Sequence, residues 1–348
     1  MDTSGSVTVN WVEQRLLPDS VVRLGMRRLL KERLAEMQAT DTEQAAELAQ
    51  AFFEALEDAD VAPWPDKTSR QHHDVPAAFF TRALGGRLKY SCCWWGDGIK
   101  TLDAAEAAAL ALTCERAGLE NGHDVLELGC GWGSLSLWMA ERYPACRITA
   151  LSSSGSQRSF IENRAEQRGL RNLRVITADM NHFDTGERFD RVVSVEMFEH
   201  LRNWPEAFRR VSTWLRPGGR FFMHVFAHRS TPYAFIDRDA SDWMSRHFFT
   251  GGMMPSDDLA LHCQEHLRLL KRWRWSGTHY ERTAEAWLQN MDAARDDLMP
   301  LFERTYGAQD AALWWARWRL FFMSTAELFG YQDGQQWWVS HYLMERRP

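Results

Sequence analysis

The chain has 348 residues, and 45% of them are hydrophobic, which is enough for one large α/β domain with insertions or for two domains. Its net charge of −6 at pH 7 argues against a general nucleic-acid-binding protein, so no nucleic-acid partner is expected. No run approaches the roughly 18 apolar residues of a membrane span, and no signal-peptide hydrophobic region is present, which predicts no stable membrane insertion.

Residues 1–70 are predicted to form a helical N-terminal segment. Apolar residues recur at helical spacing between Val21 and Met37, with arginines and Lys31 among them. A basic amphipathic helix can rest on an anionic membrane, but we favour a helix that packs on the following domain and keeps its basic face in solvent. A proline-containing connection at 61–76 leads into the main domain, residues 71–348.

From residue 123 onward, strand-like apolar runs alternate with helical runs. The predicted strands are 123–128, 147–151, 173–177, 189–195 and 220–226. This order predicts an α/β fold with a parallel, doubly wound sheet. Residues 228–285 break the alternation and are predicted to form an inserted lid. A helix is expected near 283–327, and a last strand at 337–344 is expected to complete the sheet as a hairpin partner.

A glycine-rich turn follows the first of these strands. Gly129, Gly131 and Gly133 stand at alternate positions, and glycine lets a ligand lie against the backbone. Glu127 precedes the first glycine by two residues. The resulting Glu-x-Gly-x-Gly-x-Gly pattern resembles motif I of the class I S-adenosylmethionine (SAM) methyltransferases, unlike the spaced dinucleotide fingerprint. The resemblance implies a Rossmann-like fold and SAM as the cofactor; the alternative is a glycine-rich turn without a ligand.

The second and third strands end in further candidates for cofactor binding. Many class I methyltransferases bind the ribose with an acid after the second strand, but this chain has no acid there. Gln157, with Ser153, is therefore the candidate for the ribose. Asp179 can accept a hydrogen bond from the adenine amino group, and Met180 can lie on the ring. The alternative role for Asp179 is a helix N-cap.

Several longer motifs resemble the cyclopropane fatty acid synthase superfamily and, within it, the coclaurine N-methyltransferase group. These motifs begin near residue 70 and extend to the C-terminus; they include the segments 71–80, 88–92, 196–200, 279–288, 318–322 and 327–331. The resemblance implies a SAM pocket lined by Tyr90, Ser91, Gly129, Gln157, Asp179, Met180 and Val195. The chain departs from the family at His73, which replaces a tyrosine expected near the SAM carboxylate.

Glu196, Glu199 and His200 follow the fourth strand and are the candidate catalytic residues. In open α/β sheets, ligands bind at the carboxyl ends of the strands. A carboxylate can anchor an amine there, and an imidazole can take its proton. The resemblance implies SAM-dependent methylation of the nitrogen of a small, partly aromatic, isoquinoline-like amine. The alternatives are carboxylates that only cap a helix, and a SAM-binding regulatory protein without chemistry.

The superfamily also supports a rival function, cyclopropanation or methylation of an unsaturated lipid acyl chain. Cyclopropane synthases hold a bicarbonate ion, and the matching residues here are Cys92, Glu199, His224 and Tyr280. Glu196 stands where those synthases usually carry glycine, and its negative charge would disfavour the binding of a bicarbonate ion. Phe226 likewise replaces a smaller aliphatic residue.

The seventeen tryptophans suit a deep aromatic pocket, although core packing is an equal alternative for each aromatic residue. The candidate substrate-binding residues are Trp94, Tyr280, Phe322, Tyr331 and Trp337. The six cysteines have neither zinc-site nor disulfide-framework spacing, so we expect no metal, reduced thiols and a cytoplasmic protein. A homodimer stays open, since the sequence does not decide the oligomeric state.

Overall fold

The computed structural model describes residues 11–37, 41–57, 59–62, 75–237 and 242–348. The strands are β1 Asp124–Leu128, β2 Arg147–Ser152, β3 Leu173–Thr177, β4 Phe189–Val195, β5 Leu215–His228, β6 Tyr233–Ala234, β7 Met253–Met254, β8 Leu267–Trp275 and β9 Trp337–Arg346. Seven of them form one sheet in the order β3-β2-β1-β4-β5-β9-β8, and β6 pairs with β7. Strands β1 to β5 run parallel, whereas β9 lies antiparallel between β5 and β8.

Helices surround the main sheet. They are α1 Asp19–Glu36, α2 Thr42–Glu57, α3 Ala77–Ala83, α4 Leu102–Arg116, α5 Ser134–Arg142, α6 Gly155–Gln167, α7 Trp204–Trp214, α8 Trp243–His247, α9 Leu259–His262, α10 Gly277–Ala293, α11 Arg295–Tyr306 and α12 Ala311–Gly330. Every residue of β1 is buried, as expected of a parallel strand covered on both faces. The predicted fold class is confirmed, and the predicted last strand forms, although it pairs with two strands distant in sequence.

Two predictions about the C-terminal third need correction. The second half of the expected lid, 228–285, contains β8, which belongs to the main sheet. The earlier part carries β6, α8, β7 and α9, and its strands β6 and β7 form a separate two-stranded sheet. The helix expected near 283–327 is three helices, because the chain turns at Ala294 and again at Gly307, where φ is 90°. His73, with the rest of 71–74 in the first motif segment, lies outside the described residues.

The N-terminal helix α1 packs against the C-terminal helices through ion pairs. Arg23 contacts Glu285 at 2.5 Å and Glu327 at 3.0 Å, and Arg27 contacts Glu327 at 2.5 Å. Val22 on the same helix is buried. These contacts agree with the favoured interpretation of a helix packed on the main domain. Among the described residues, no helix combines the length and the apolar character that crossing a membrane requires.

Candidate active site

A cavity opens at the carboxyl ends of β1, β2, β3 and β4, beside the point where the strand order reverses between β1 and β4. This is the position at which open α/β sheets bind ligands. The predicted site residues that line it are Tyr90, Ser91, Gly129, Gly131, Ser153, Gln157, Asp179, Met180, Val195, Glu196, His200 and Tyr280. Residues from separate sequence motifs therefore line the same cavity.

The three glycines of the turn have different reasons to lack a side chain. A Cβ atom on Gly131 would meet none of the described residues within 4 Å, and Gly131 lines the cavity. A Cβ atom on Gly129 would lie 2.5 Å from Met197, and one on Gly133 would lie 2.6 Å from Ile161. Gly133 does not line the cavity; it lies at the N-cap of α5 with φ of 80°. Only Gly131 therefore leaves open space that a ligand could use.

The residues after β2 and β3 present polar groups to the cavity. The Gln157 side chain is buried, and its Oε1 accepts a hydrogen bond of 2.7 Å from the Ser152 hydroxyl. Ser152 was not among the predicted residues, but it fixes the orientation of the Gln157 amide. Asp179 Oδ1 accepts from the Asn181 backbone N–H at 2.9 Å, so part of this carboxylate stabilises a local turn. Asp179 Oδ2 has no hydrogen bond to the described residues.

Glu196 is the most constrained side chain of the site. Its φ of 47° is in the left-handed region, which costs a non-glycine residue energy and often marks a functional position. Glu196 Oε1 accepts from the Cys92 backbone N–H at 2.9 Å and contacts His224 Nε2 at 3.1 Å, while Oε2 accepts from the Tyr280 hydroxyl at 2.7 Å. Burial raises the pKa of Glu196, whereas nearby Lys89 and these donors oppose that rise.

Glu199 and His200, on the short 3₁₀ turn Phe198–His200, have different surroundings. Glu199 is fully buried and does not line the cavity. Its Oε1 accepts from the Phe226 N–H at 2.8 Å, and its Oε2 has no partner among the described residues. Burial, and next the charge of Glu196, raise the pKa of Glu199 well above its ordinary value, so it is the neutral member of the carboxyl pair. His200 lines the cavity and stacks on Phe249 with ring centroids 5.4 Å apart.

Four of the five predicted substrate-binding residues lie outside the cavity. Trp94 stacks on His279, with ring centroids 4.1 Å apart. Phe322 is fully buried in the core, and Tyr331 packs against Trp337, which is itself fully buried. These four aromatics lie in the hydrophobic core or pack against it, the alternative that the sequence left open for each; of the five, Tyr280 alone lines the cavity.

The aromatic residues that line the cavity are instead Tyr90, Trp132, Phe226, Phe249, Tyr280 and Phe321, and sequence reasoning missed Trp132, Phe249 and Phe321 as lining residues. A helix turns by about 100° per residue, so Phe321 faces the cavity while its neighbour Phe322 does not. Lys89 was also missed. It is buried and donates from Nζ to Ser91 Oγ at 2.6 Å and to the Cys92 carbonyl at 2.7 Å. Its place within the recognised segment 88–92 was the available signal.

Three of the four residues matched to a bicarbonate site do come together, but around a protein carboxylate. The Cys92 N–H, His224 Nε2 and the Tyr280 hydroxyl all contact the oxygens of Glu196. The side chains of Cys92 and His224 are fully buried and do not line the cavity. The Glu196 carboxylate therefore takes up the donors that a bicarbonate ion would use.

Comparison with known proteins agrees with the motifs. The family model for mycolic acid cyclopropane synthetase matches residues 64–335. (S)-Coclaurine N-methyltransferase from Thalictrum flavum subsp. glaucum is 35% identical over 341 residues, which cover 97% of this chain and 94% of that protein. The protein of the same name from Papaver somniferum is 32% identical over 340 residues, which cover 97% of each.

A solved structure gives the same result in three dimensions. The crystal structure of coclaurine N-methyltransferase bound to N-methylheliamine and SAH matches with a TM-score of 0.95 and 33% identity, over 98% of this chain and 99% of that one. The resemblance predicted from the motifs is thus confirmed along almost the whole length. The chain belongs to the mycolic acid cyclopropane synthetase family and is similar, within it, to the coclaurine N-methyltransferases.

Proposed function

We propose that this protein is a SAM-dependent methyltransferase that methylates the nitrogen of a small, partly aromatic, isoquinoline-like amine. The observation that carries the proposal is the Glu196 carboxylate, which lies at the cavity wall and holds the three donors of the matched bicarbonate site. The names of the similar proteins, (S)-coclaurine and pavine N-methyltransferase, support the same acceptor class.

The cavity fits SAM on one structural test. The open space beside Gly131, which a Cβ atom would fill, leaves the backbone free to approach a ligand. In this proposal the Gly129–Gly131 turn, Tyr90 and Ser91 hold the methionine part, while Gln157 with Ser153 holds the ribose. Asp179 and Met180 hold the adenine, and Val195 contacts the cofactor at the end of β4. SAM supplies an electrophilic methyl group on a sulfonium.

The acceptor amine is held by charge and by aromatic faces. A protonated amine carries a positive charge, which the Glu196 carboxylate attracts across the low-dielectric wall. The rings of Phe226, Phe249 and Phe321 offer a surface for a planar substrate and for a cation. Holding the two reactants in line contributes on the order of 7–11 kcal/mol to such reactions.

Proton transfer falls to His200 in this proposal. The amine must be neutral to attack with its lone pair, and the His200 imidazole lines the cavity, held parallel to the Phe249 ring. Glu199 is neutral and set behind the wall, so it does not compete as the base. Its neutrality leaves one negative charge in the carboxyl pair, which removes a repulsion that would oppose the ionisation of Glu196.

The cyclopropanation alternative is disfavoured by the same geometry. A bicarbonate ion needs free donors and a position away from other anions, whereas Glu196 uses the donors and adds its own charge.

The cytoplasmic setting is part of the proposal as well. All six cysteines are buried and unbridged, which suits a reducing compartment.

The experiment that tests the proposal is a turnover screen of amines of increasing aromatic size with SAM, with detection of SAH and of the methylated product by mass spectrometry. We expect turnover on planar secondary or tertiary amines, and a fall of about 10²–10⁴-fold for His200→Ala. His266→Ala, at a partly exposed position outside the cavity, is the matched control and should keep full turnover. No methylated amine across the panel, or full activity of His200→Ala, would reject the proposal.

A further inference from the structure

A line of four hydrogen-bonded side chains connects Glu196 through strands β5 and β9 to helix α4. Arg116 at the end of α4 contacts Nδ1 of His341 at 2.8 Å. Nε2 of His341 contacts Nδ1 of His224 at 2.9 Å, and Nε2 of His224 contacts Glu196 Oε1 at 3.1 Å. Both imidazoles are fully buried, on the adjacent strands β9 and β5, whereas Arg116 is half-buried.

Arg116 fixes the donor-to-acceptor direction of the hydrogen bonds along this line. A guanidinium has only N–H donors, so Nδ1 of His341 must be the acceptor. Burial, with the neighbouring positive charges, holds the pKa values of His224 and His341 well below the ordinary range, so each ring is neutral with a single N–H. The His341 proton therefore lies on Nε2 and is donated to His224 Nδ1, which places the His224 proton on Nε2, facing Glu196.

The direction of these hydrogen bonds matters because, in the opposite tautomer of His224, the lone pair of Nε2 would face the Glu196 carboxylate. Glu196 would then lose one of its three donors and gain a repulsive contact. The other titratable groups around Glu196 are Lys89, Tyr90, Cys92, Glu199, His200 and Tyr280. None of these groups contacts His341, so Arg116 is the donor that fixes the tautomers.

We propose that Arg116 and His341 are positioning residues that hold His224 as the Nε2–H tautomer and thereby keep Glu196 as an oriented carboxylate for the acceptor amine. Neither residue lines the cavity, and both act through His224. The kinetic part of this inference rests on the proposed N-methyltransferase function. The tautomer assignment itself depends only on the hydrogen-bonded line.

Nitrogen NMR of protein labelled with ¹⁵N-histidine tests the tautomers directly and needs no substrate. Signals are assigned by their loss in His224→Gln and His341→Gln variants. We expect both rings as neutral Nε2–H tautomers near neutral pH, and loss of the single tautomer at both rings in Arg116→Met. An Nδ1–H tautomer or an imidazolium at either ring of the unmodified protein would overturn the inference.

Kinetics then separate positioning from packing. Arg116→Met removes the donor but keeps an apolar stem against Trp273 and Trp275, whose rings lie 5.2 and 5.5 Å from the guanidinium carbon. We expect kcat/KM for the amine to fall by about 10- to 100-fold, as for loss of a hydrogen bond in a charged network, with SAM affinity unchanged. The acid limb of the kcat/KM profile should move to higher pH, because a less stabilised carboxylate is protonated more easily.

Two variants complete the test. Arg116→Lys restores a donor and should recover most of the turnover and the original pH profile. Trp273→Leu removes a stacking partner but leaves the donor, and should remain near the unmodified rate. Equal losses in Arg116→Met and Arg116→Lys, or an unchanged pH profile in Arg116→Met, would overturn the positioning role. If the unmodified protein methylates no amine, the proposed function fails, while the NMR result still decides the tautomers.

Discussion

Replacing Gly131 by alanine tests the cofactor site at the position where the backbone leaves open space. Gly131 has a φ of 50°, and an alanine there pays the strain of the left-handed region, about 1–2 kcal/mol. In the described part of the chain, no neighbour lies within 4 Å of the added Cβ atom, so we expect little loss of stability beyond that strain. If SAM lies against this backbone, the same Cβ atom collides with it, and we expect at least a tenfold loss of affinity, about 1.4 kcal/mol.

Gly169→Ala is the matched control. Gly169 has a φ of 67°, also has no described residue within 4 Å of a Cβ atom, and lies outside the cavity. Chemical denaturation should give similar losses of unfolding free energy for the two variants, while titration calorimetry with SAM should separate them. Equal SAM affinity for Gly131→Ala and the unmodified protein would refute the placement of the cofactor on this turn.

Two further predictions concern buried polar groups of the cavity wall. Gln157→Ala should weaken SAM binding by about 1–3 kcal/mol, because a ribose hydroxyl would lose its partner and Ser152 would lose its acceptor; calorimetry with an unchanged affinity would exclude Gln157 from the site. Burial raises the pKa of Glu127 from its usual 4.5 to about 7, so the stability it contributes is complete below pH 4.5 and is lost as pH rises through 7. Glu127→Gln should therefore gain about 3 kcal/mol relative to the unmodified protein between pH 4.5 and pH 8 in denaturation experiments, and a pH-independent difference would contradict the shift.

The polar residues of the site were predictable because they belong to short contiguous segments of the sequence. The glycine turn and the 196–200 segment each follow a strand directly, and the carboxyl ends of parallel strands meet at one edge of the sheet. The roles within the cluster were not predictable. That Glu199 lies behind the wall and that Glu196 holds three donors depends on contacts with β5, α10 and the segment near Cys92, which are distant in sequence.

The aromatic half of the site was not predictable for a different reason. Helix α12 is buried on nearly all sides, so its sequence has no apolar stripe that shows which face meets the cavity. Strand β8 was missed although Leu267, Leu269, Trp273 and Trp275 stand at alternate positions, because the whole of 228–285 was assigned to one irregular insertion. A register shift between Leu269 and Lys271 places the two leucines and the two tryptophans on opposite faces of the sheet.

The central claim is that the cavity serves an amine and needs no bicarbonate, since Glu196 holds the donors contributed by Cys92, His224 and Tyr280. The most direct measurement is a competition assay with SAM, an isoquinoline-type amine and unsaturated phospholipid vesicles, run in buffer with and without bicarbonate. We predict an N-methylated amine as the product, at the same rate in both buffers, and an unaltered lipid. A methylene-bridged acyl chain, or a turnover that requires added bicarbonate, would contradict the account.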